Sequence, residues 1–314
     1  MLRHSLAVAL GCALSAALVF GGCAQAVPSA APPAAAGTPA PPRQPASGAA
    51  SSQPVYEYET QELYAHRGEN QIYGILYVPQ GAGEQMPAVI YSHGYGGDHS
   101  YGEQYAQALA MRGYVVYCFD FCGGSPGSLS DGSTLEMSLF TEQADLEAVM
   151  AMVTDLPFVD TGNLFLLGTS QGGAVSAITA AAHPDQVRGM ALLYPAFSLV
   201  EDANRRYQSA GEIPDSQYFL WMTVGRAYFE PLLGYDIYHA IAAYDRDVLI
   251  LHGDADGIVP LSSSERAVQA YPSAELVTLP GAGHGFSGGD ASAAIDAITA
   301  VSYTHLTLPT ILRV

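Results

Sequence analysis

Residues 164–176 read Leu-Phe-Leu-Leu-Gly-Thr-Ser-Gln-Gly-Gly-Ala-Val-Ser, and this stretch decides the fold. Leu164 to Leu167 is a short, unbroken apolar run, the pattern of a parallel strand buried on both faces. Gln171 to Ala182 is a run of small residues with helical character. Between them, Gly168-Thr169-Ser170-Gln171-Gly172 fits G-x-S-x-G. A serine on a sharp strand-to-helix turn must adopt a strained backbone, and glycines two before and two after it leave the room. Its hydroxyl then projects from the edge of the sheet, with a helix N-terminus behind it to favour negative charge. The motif alone is weak; the strand before it and the helix after it make it specific.

Outward from this turn the same alternation continues. Glu57–His66 and Ile72–Val78 read as strands joined by a turn at Gly68-Glu69-Asn70. Further strands are expected at Ala88–Ser92, Tyr114–Phe119, Met190–Leu193, Val248–Leu251 and Leu276–Leu279. Helices are expected at Ser100–Met111, Leu139–Val153, Ser262–Ala270 and from near Ala291. Strand and helix repeated in this way call for a mostly parallel sheet covered on both faces, an α/β architecture. Pro195 to Asp245 breaks the rhythm. It holds no core strand and is rich in aromatic residues, among them Tyr207, Tyr218, Phe219, Trp221, Tyr228 and Phe229. A small lid insertion (about 195–245) over the sheet's C-terminal edge is the expected reading.

A serine hydroxyl is a poor nucleophile at neutral pH, so Ser170 needs a base within hydrogen-bond reach, and the base needs an orienting acid. In a fold of this kind the partners follow in the order serine, acid, histidine. The Val248–Leu251 strand leads into His252-Gly253-Asp254-Ala255-Asp256-Gly257-Ile258-Val259-Pro260. The next strand ends in Pro280-Gly281-Ala282-Gly283-His284-Gly285. Loops after parallel strands lie at one sheet edge, which brings an acid and His284 to the serine. Spacing alone does not choose between Asp254 and Asp256. Of the other histidines, His252 at a strand end reads as structural, His93 precedes a glycine-rich loop, and His183 beside Pro184 reads as a helix cap. Charge developing on an attacked carbonyl oxygen calls for backbone N–H donors, each worth about 3 kcal/mol. The residue after the serine, Gln171, supplies one. The loop His93-Gly94-Tyr95-Gly96-Gly97 supplies the other, nominally from Tyr95. Cys118 and Cys122 would be ~13 Å apart in a continued strand, beyond disulfide reach, so two free thiols are expected. No metal-ligand spacing is apparent, no phosphate-cradling loop follows the first strand, and no cofactor is expected.

Taken in order, Ser92–Gly97, Phe119-Asp120-Phe121-Cys122-Gly123-Gly124-Ser125, Gly168–Gly172, His252–Pro260 and Gly283-His284 resemble the motifs of α/β-hydrolases. The nearer likeness is to bacterial feruloyl (cinnamoyl) esterase-like carboxylesterases, and it runs from about Tyr58 to Ala300. The resemblance implies the α/β-hydrolase fold and a serine esterase acting through an acyl-enzyme. Its substrates would be small-molecule or polysaccharide-linked esters, feruloyl, cinnamoyl or acetyl esters among them. In that family the acid is the Asp three residues before Val-Pro, which implies Asp256. The donors follow His-Gly and the serine, which implies Tyr95 and Gln171, with Ser170 and His284 completing the catalytic set. The insertion departs from the family pattern and leaves the acyl pocket open. Two rivals share the motifs or the setting. A serine peptidase of the prolyl-oligopeptidase type usually carries a large N-terminal propeller, whereas here only a tether precedes the core. A non-catalytic binding lipoprotein would not be expected to keep an ordered trio. A dienelactone-type hydrolase would place Cys where Ser170 stands.

Composition bounds the rest. Of 314 residues, 49% are hydrophobic, enough for a full core. Eleven Lys+Arg against 30 Asp+Glu give a formal charge of −19, which argues against nucleic acid and against charge-driven docking on anionic membranes. Residues 1–23 have a basic start, an apolar middle and Phe20-Gly21-Gly22-Cys23, the shape of a lipoprotein signal ending at a lipidated Cys23. Residues 24–54 are Ala- and Pro-rich and read as a disordered tether, so the folded domain is expected over 55–300. An extracytoplasmic enzyme, anchored to the membrane by lipid only, is the resulting expectation. Val301-Ser302-Tyr303-Thr304-His305-Leu306 matches one frame of a transposase sequencing adapter, so residues 301–314 are suspected to be foreign.

Overall fold

A computed structural model describes residues 54–307, with side chains to residue 300. The expected signal segment with Cys23, nearly all of the tether, and residues 308–314 of the suspect tail lie outside the described residues. In chain order, the elements that build the core start with β1 (Tyr58–Arg67), β2 (Asn70–Pro79), β3 (Met86–Ser92), α1 (Glu103–Ala110), β4 (Val115–Phe119) and α2 (Leu139–Thr154). Next come β5 (Val159–Thr169), α3 (Ser170–Ala182) and β6 (Gly189–Leu193). The insertion holds α4 (Leu199–Arg206), β7 (Ser216–Phe219), β8 (Met222–Gly225), α5 (Arg226–Phe229) and α6 (Ile237–Ile241). The chain closes with β9 (Val248–Gly253), α7 (Leu261–Ala270), β10 (Ala274–Leu279) and α8 (Gly288–Thr307).

Eight strands form one sheet in the order β1-β2-β4-β3-β5-β6-β9-β10. The β1–β2 and β2–β4 pairs are antiparallel, and every other pair is parallel. This is the mostly parallel sheet that the apolar runs imply. Strand residues alternate between two cores, as a period of two demands. Ile90, Leu164, Leu166 and Ile250 face one core with α2, α3, α6 and α7. Val89, Phe165, Leu167 and Leu251 face the other with α1 and α8. In α8 the buried residues are Ala291, Ala294 and Ile298, one helical stripe, and the helix starts three residues before the expected Ala291. The expected Ser100–Met111 helix divides, its first turn being a 3-10 turn at His99–Gly102 capped by Asp98.

Two local features position the sheet edge and the helices behind it. Ser138 caps α2 by accepting from the Thr141 N–H at 3.1 Å, while Thr141 Oγ1 accepts from the Ser138 N–H at 2.8 Å. That box fixes the first turn of α2, and with it Glu142. Gly172 lets α3 pass close to β3, since a Cβ there would lie 2.2 Å from the Ser92 carbonyl oxygen. Cys118 and Cys122 are both buried and free.

Candidate active site

The loops after β3, β5, β9 and β10 leave the same sheet edge because these strands are parallel. Ser170 stands at the β5–α3 turn with φ 51°, in the left-handed region that a side chain rarely occupies. Its hydroxyl lies 2.9 Å from His284 Nε2. His284 Nδ1 lies 2.8 Å from Asp256 Oδ2. A carboxylate only accepts, so Nδ1 carries the proton and Nε2 is left to receive one from the serine.

Asp256 is tied down from three sides. Its Oδ1 accepts from the N–H groups of Ile258 at 2.8 Å and Val259 at 2.9 Å, and its Oδ2 also lies 3.2 Å from His252 Nε2. The two acids that spacing left open are thereby separated. Asp254 turns away and accepts from the Gly281 N–H at 2.6 Å, tying the β9 loop to the β10 loop. His252 does structural work, but closer to the acid than a bare strand end suggests. Its Nε2–H donates to the Val259 carbonyl at 3.0 Å, and its Nδ1 accepts from Ser264 at 2.7 Å. Burial lowers its pKa, with the Val259 carbonyl and Asp256 opposing. His183 caps α3 and reaches Glu147 at 3.0 Å.

His93 organises the loop that carries Tyr95. Its Nδ1–H donates to the Gly94 carbonyl at 2.8 Å, and its Nε2 accepts from the Phe121 N–H at 3.1 Å. The bond accepted by Nε2 requires the neutral ring, and complete burial lowers its pKa accordingly. Gly94 then approaches the β5–α3 turn so closely that a Cβ would lie 3.0 Å from Ser170 Cβ. Gln171 lies in the first turn of α3, where backbone N–H groups have no intrahelical acceptor. Gln171 and Tyr95, the residues expected to donate to an oxyanion, line the same cavity as Ser170.

Three residues beyond those expected complete the site. Tyr194, with φ 39°, sets its ring edge-on to His284 at 4.8 Å and to Phe286 at 4.7 Å. Glu142 Oε2 accepts from Gln171 Nε2 at 2.8 Å, and Tyr228 donates its O–H to Gln171 Oε1 at 2.7 Å. Glu142 had a readable signal. It falls with Leu139, Leu146, Val149 and Val153 on the apolar stripe of α2, where an acid needs a partner. Tyr228 had none beyond being one aromatic among many.

Over these residues lies a cavity of about 450 Å³, with Ser170 and His284 in its wall. Tyr95, Phe219, Trp221, Tyr228 and Phe229 give it aromatic sides, and Arg205, Arg206 and Asp202 give it charge. The Arg206 guanidinium lies over Phe219 at 5.1 Å from the ring centroid. The volume suits a ligand of small-molecule size. Among the described residues no group of three His, Cys, Asp or Glu side chains is placed to hold a metal ion.

Comparison with known proteins bears on the fold. A family model described as serine aminopeptidase, S33, matches residues 83–224, and one described as TAP-like protein matches residues 234–308. An uncharacterized protein of Mycobacterium tuberculosis is 29% identical over 214 residues, spanning 67% of each chain. Among solved structures, Est1E from Butyrivibrio proteoclasticus with ferulic acid bound superposes with a TM-score of 0.72 at 24% identity, covering 78% of this chain and 100% of that one. Acetyl xylan esterase 1 from Thermoanaerobacterium sp. JW/SL YS485 superposes with a TM-score of 0.61 at 20% identity, covering 80% of this chain and 84% of that one.

Proposed function

We propose that this chain, which has the α/β-hydrolase fold, is a serine hydrolase cleaving carboxylic esters. The observation that carries the reading is the unbroken hydrogen-bond chain from Ser170 Oγ through His284 to Asp256, at 2.9 and 2.8 Å, opening into an aromatic cavity. Ser170 attacks the ester carbonyl while His284 Nε2 takes its proton. Asp256 holds the tautomer and stabilises the imidazolium that forms. The carbonyl oxygen becomes an oxyanion held by the N–H groups of Gln171 and Tyr95. His284 then protonates the departing alcohol, leaving an acyl-serine. A water molecule, deprotonated by the same imidazole, attacks that ester and releases the acid.

The aromatic sides of the cavity favour an acyl or alcohol group that is flat and apolar, such as a cinnamoyl group. Acetyl esters of plant polysaccharide fit the same chemistry. The enzyme would act outside the cytoplasm, held to the membrane by a lipid on Cys23 and spaced from it by the 24–54 tether. A second reading, a serine peptidase, gains support from the S33 aminopeptidase description of the matching family model.

A panel separates the two: p-nitrophenyl acetate, p-nitrophenyl octanoate, methyl ferulate and a prolyl-nitroanilide, each with the purified protein and with Ser170→Ala. Ester turnover lost in the variant is the expected result. Anilide cleavage without ester turnover would replace the esterase by the peptidase, and turnover retained by Ser170→Ala would end both.

A further inference from the structure

A backbone N–H donates whatever side chain it carries, so the oxyanion chemistry does not explain why residue 171 is a fully buried glutamine. Its amide has both ends occupied by groups from different elements. Nε2 donates to Glu142 of α2 at 2.8 Å, and Oε1 accepts from Tyr228 of α5 at 2.7 Å. Gln171 and Glu142 are each 1% exposed and Tyr228 is 2% exposed. The Tyr228 ring lies 5.5 Å from the Tyr95 ring at 64°, edge to face. Tyr95 in turn donates its O–H to the Phe219 carbonyl at 2.8 Å, and the Phe219 ring packs on Tyr95 and Tyr228, both at 5.7 Å. The two residues expected to donate to the oxyanion come from different loops, and the side chains of both converge on Tyr228, which the insertion supplies.

We propose that Glu142, the Gln171 side chain and Tyr228 form one positioning chain that holds the two oxyanion-donating amides in register, making the insertion part of the chemical step. The inference rests on the serine-hydrolase reading of the site. Donors help only if they already point where charge develops, because reorientation during the reaction would cost what the bond returns. A buried amide bonded at both ends has one low-energy orientation, and a network satisfied in this way is rigid. Glu142 anchors the far end against the helix bundle, and Tyr228 anchors the near end against the cavity roof.

The charge on Glu142 matters as well. Burial pushes its carboxyl up to about 8, against the pull of the Gln171 bond, with nearby Asp145 adding to the rise. The groups around it are Asp145, which Arg67 of β1 and the Cys122 N–H both engage, Gln171 of α3, the Met137 sulfur and Tyr228. Below about pH 8 the chain ends in a neutral acid. Above it, a buried anion stands behind the residue that must stabilise a second anion, and the two repel.

The test is steady-state kinetics on an ester that the full chain turns over, with the labelling rate of Ser170 by a fluorophosphonate as a second readout. Tyr228→Phe, which deletes one oxygen, and Glu142→Ala should each lower kcat by about tenfold to a hundredfold, with KM moving less than about threefold. Glu142→Gln keeps an acceptor for Gln171 without a titratable proton. It should recover kcat to within about threefold of the parent and abolish the fall in kcat above about pH 8. Thermal melting of each variant separates lost register from lost fold, and Tyr228→Phe decides the matter if Glu142→Ala does not fold. The chain is overturned if Tyr228→Phe keeps kcat within twofold, if only KM changes, or if Glu142→Gln falls as far as Glu142→Ala. A parent protein that neither turns over esters nor labels at Ser170 would instead sink the serine-hydrolase reading beneath it. Labelling of the parent and the variants at equal rates would sink the positioning chain alone.

Discussion

Ser170 and Leu220 share the same unusual φ, 51° at each, in two parts of the molecule built in different ways. Ser170 is held at the edge of the eight-stranded sheet. β5 pairs on both sides up to this turn, the Ala196 N–H donates to the Ser170 carbonyl at 2.9 Å, and α3 presses against the Ser92 carbonyl at Gly172. Leu220 sits at the tip of the β7–β8 hairpin, where Leu220 and Trp221 connect the paired Phe219 and Met222 and the Leu220 side chain is 48% exposed. A left-handed first turn residue is what a tight hairpin of this kind demands, and glycine is the residue that usually meets it. At the sheet edge the strain is over-determined by the surroundings and aims a hydroxyl. At the hairpin tip it is imposed by a turn and is lightly supported. On the proposed function the same angle serves chemistry in one region and is tolerated in the other, and substitutions that weaken one and spare the other test the contrast.

The largest effect should come from the edge. Ser170→Ala removes the hydroxyl proposed to attack the ester and should lower kcat by about 10⁴-fold to 10⁶-fold, with the fold unchanged by circular dichroism. Asp256→Asn should cost about 10⁴-fold, because an amide no longer fixes the tautomer that leaves Nε2 free to accept. Asp254→Ala, two residues away, removes the loop tie to the Gly281 N–H and should cost less than about threefold. Equal losses at 254 and 256 would mean that their different hydrogen bonds do not separate the roles of the two acids.

These acids also show where sequence reading stopped. The order of serine, acid and histidine after successive apolar runs placed the loops at one edge, because parallel strands leave no other arrangement. Between Asp254 and Asp256 spacing was silent and only the family resemblance pointed to Asp256, because what separates the two is which side chain collects the Ile258 and Val259 amides, a matter of loop geometry two residues long. In the insertion even the elements were hidden. Leu220-Trp221 is not a turn dipeptide, so the β7–β8 hairpin sent no signal. Its residues are positioned by packing of aromatics from distant points in the chain, such as Tyr95 on Trp221 at 5.4 Å, and periodicity cannot report contacts of that kind. Glu142 was readable in principle as an acid on the α2 stripe, but its partner Gln171 was not.

A smaller effect tests the ground between the two regions. The Glu142 carboxyl is raised by burial from the ordinary 4.5 to about 8, so the folded protein holds this proton more tightly than the unfolded chain does. That contribution is fully present below about pH 4.5 and is lost as the pH climbs through about 8. Glu142→Gln removes the dependence while keeping the acceptor for Gln171. Its Tm should match the parent near pH 4.5 and exceed it by several degrees at pH 9, on the order of a few kcal/mol. A Tm difference that stays constant with pH would show that Glu142 is not protonated in the folded protein at neutral pH.

The smallest effect belongs to the hairpin tip. Leu220→Gly relieves a left-handed leucine, about 1 kcal/mol of strain, and gives part of that back through the greater freedom of glycine in the unfolded chain. The net gain should be about 0.5 kcal/mol, read as a rise in Tm of one or two degrees. Stability alone would favour glycine at this position, so the leucine needs a reason, and its place in the cavity wall offers one. Leu220→Gly should therefore raise KM for esters with a bulky apolar group while leaving p-nitrophenyl acetate nearly untouched. A lower Tm with no change in KM would reverse the assignment: the leucine would then be holding the hairpin, and the contrast with Ser170 would rest on packing at both sites.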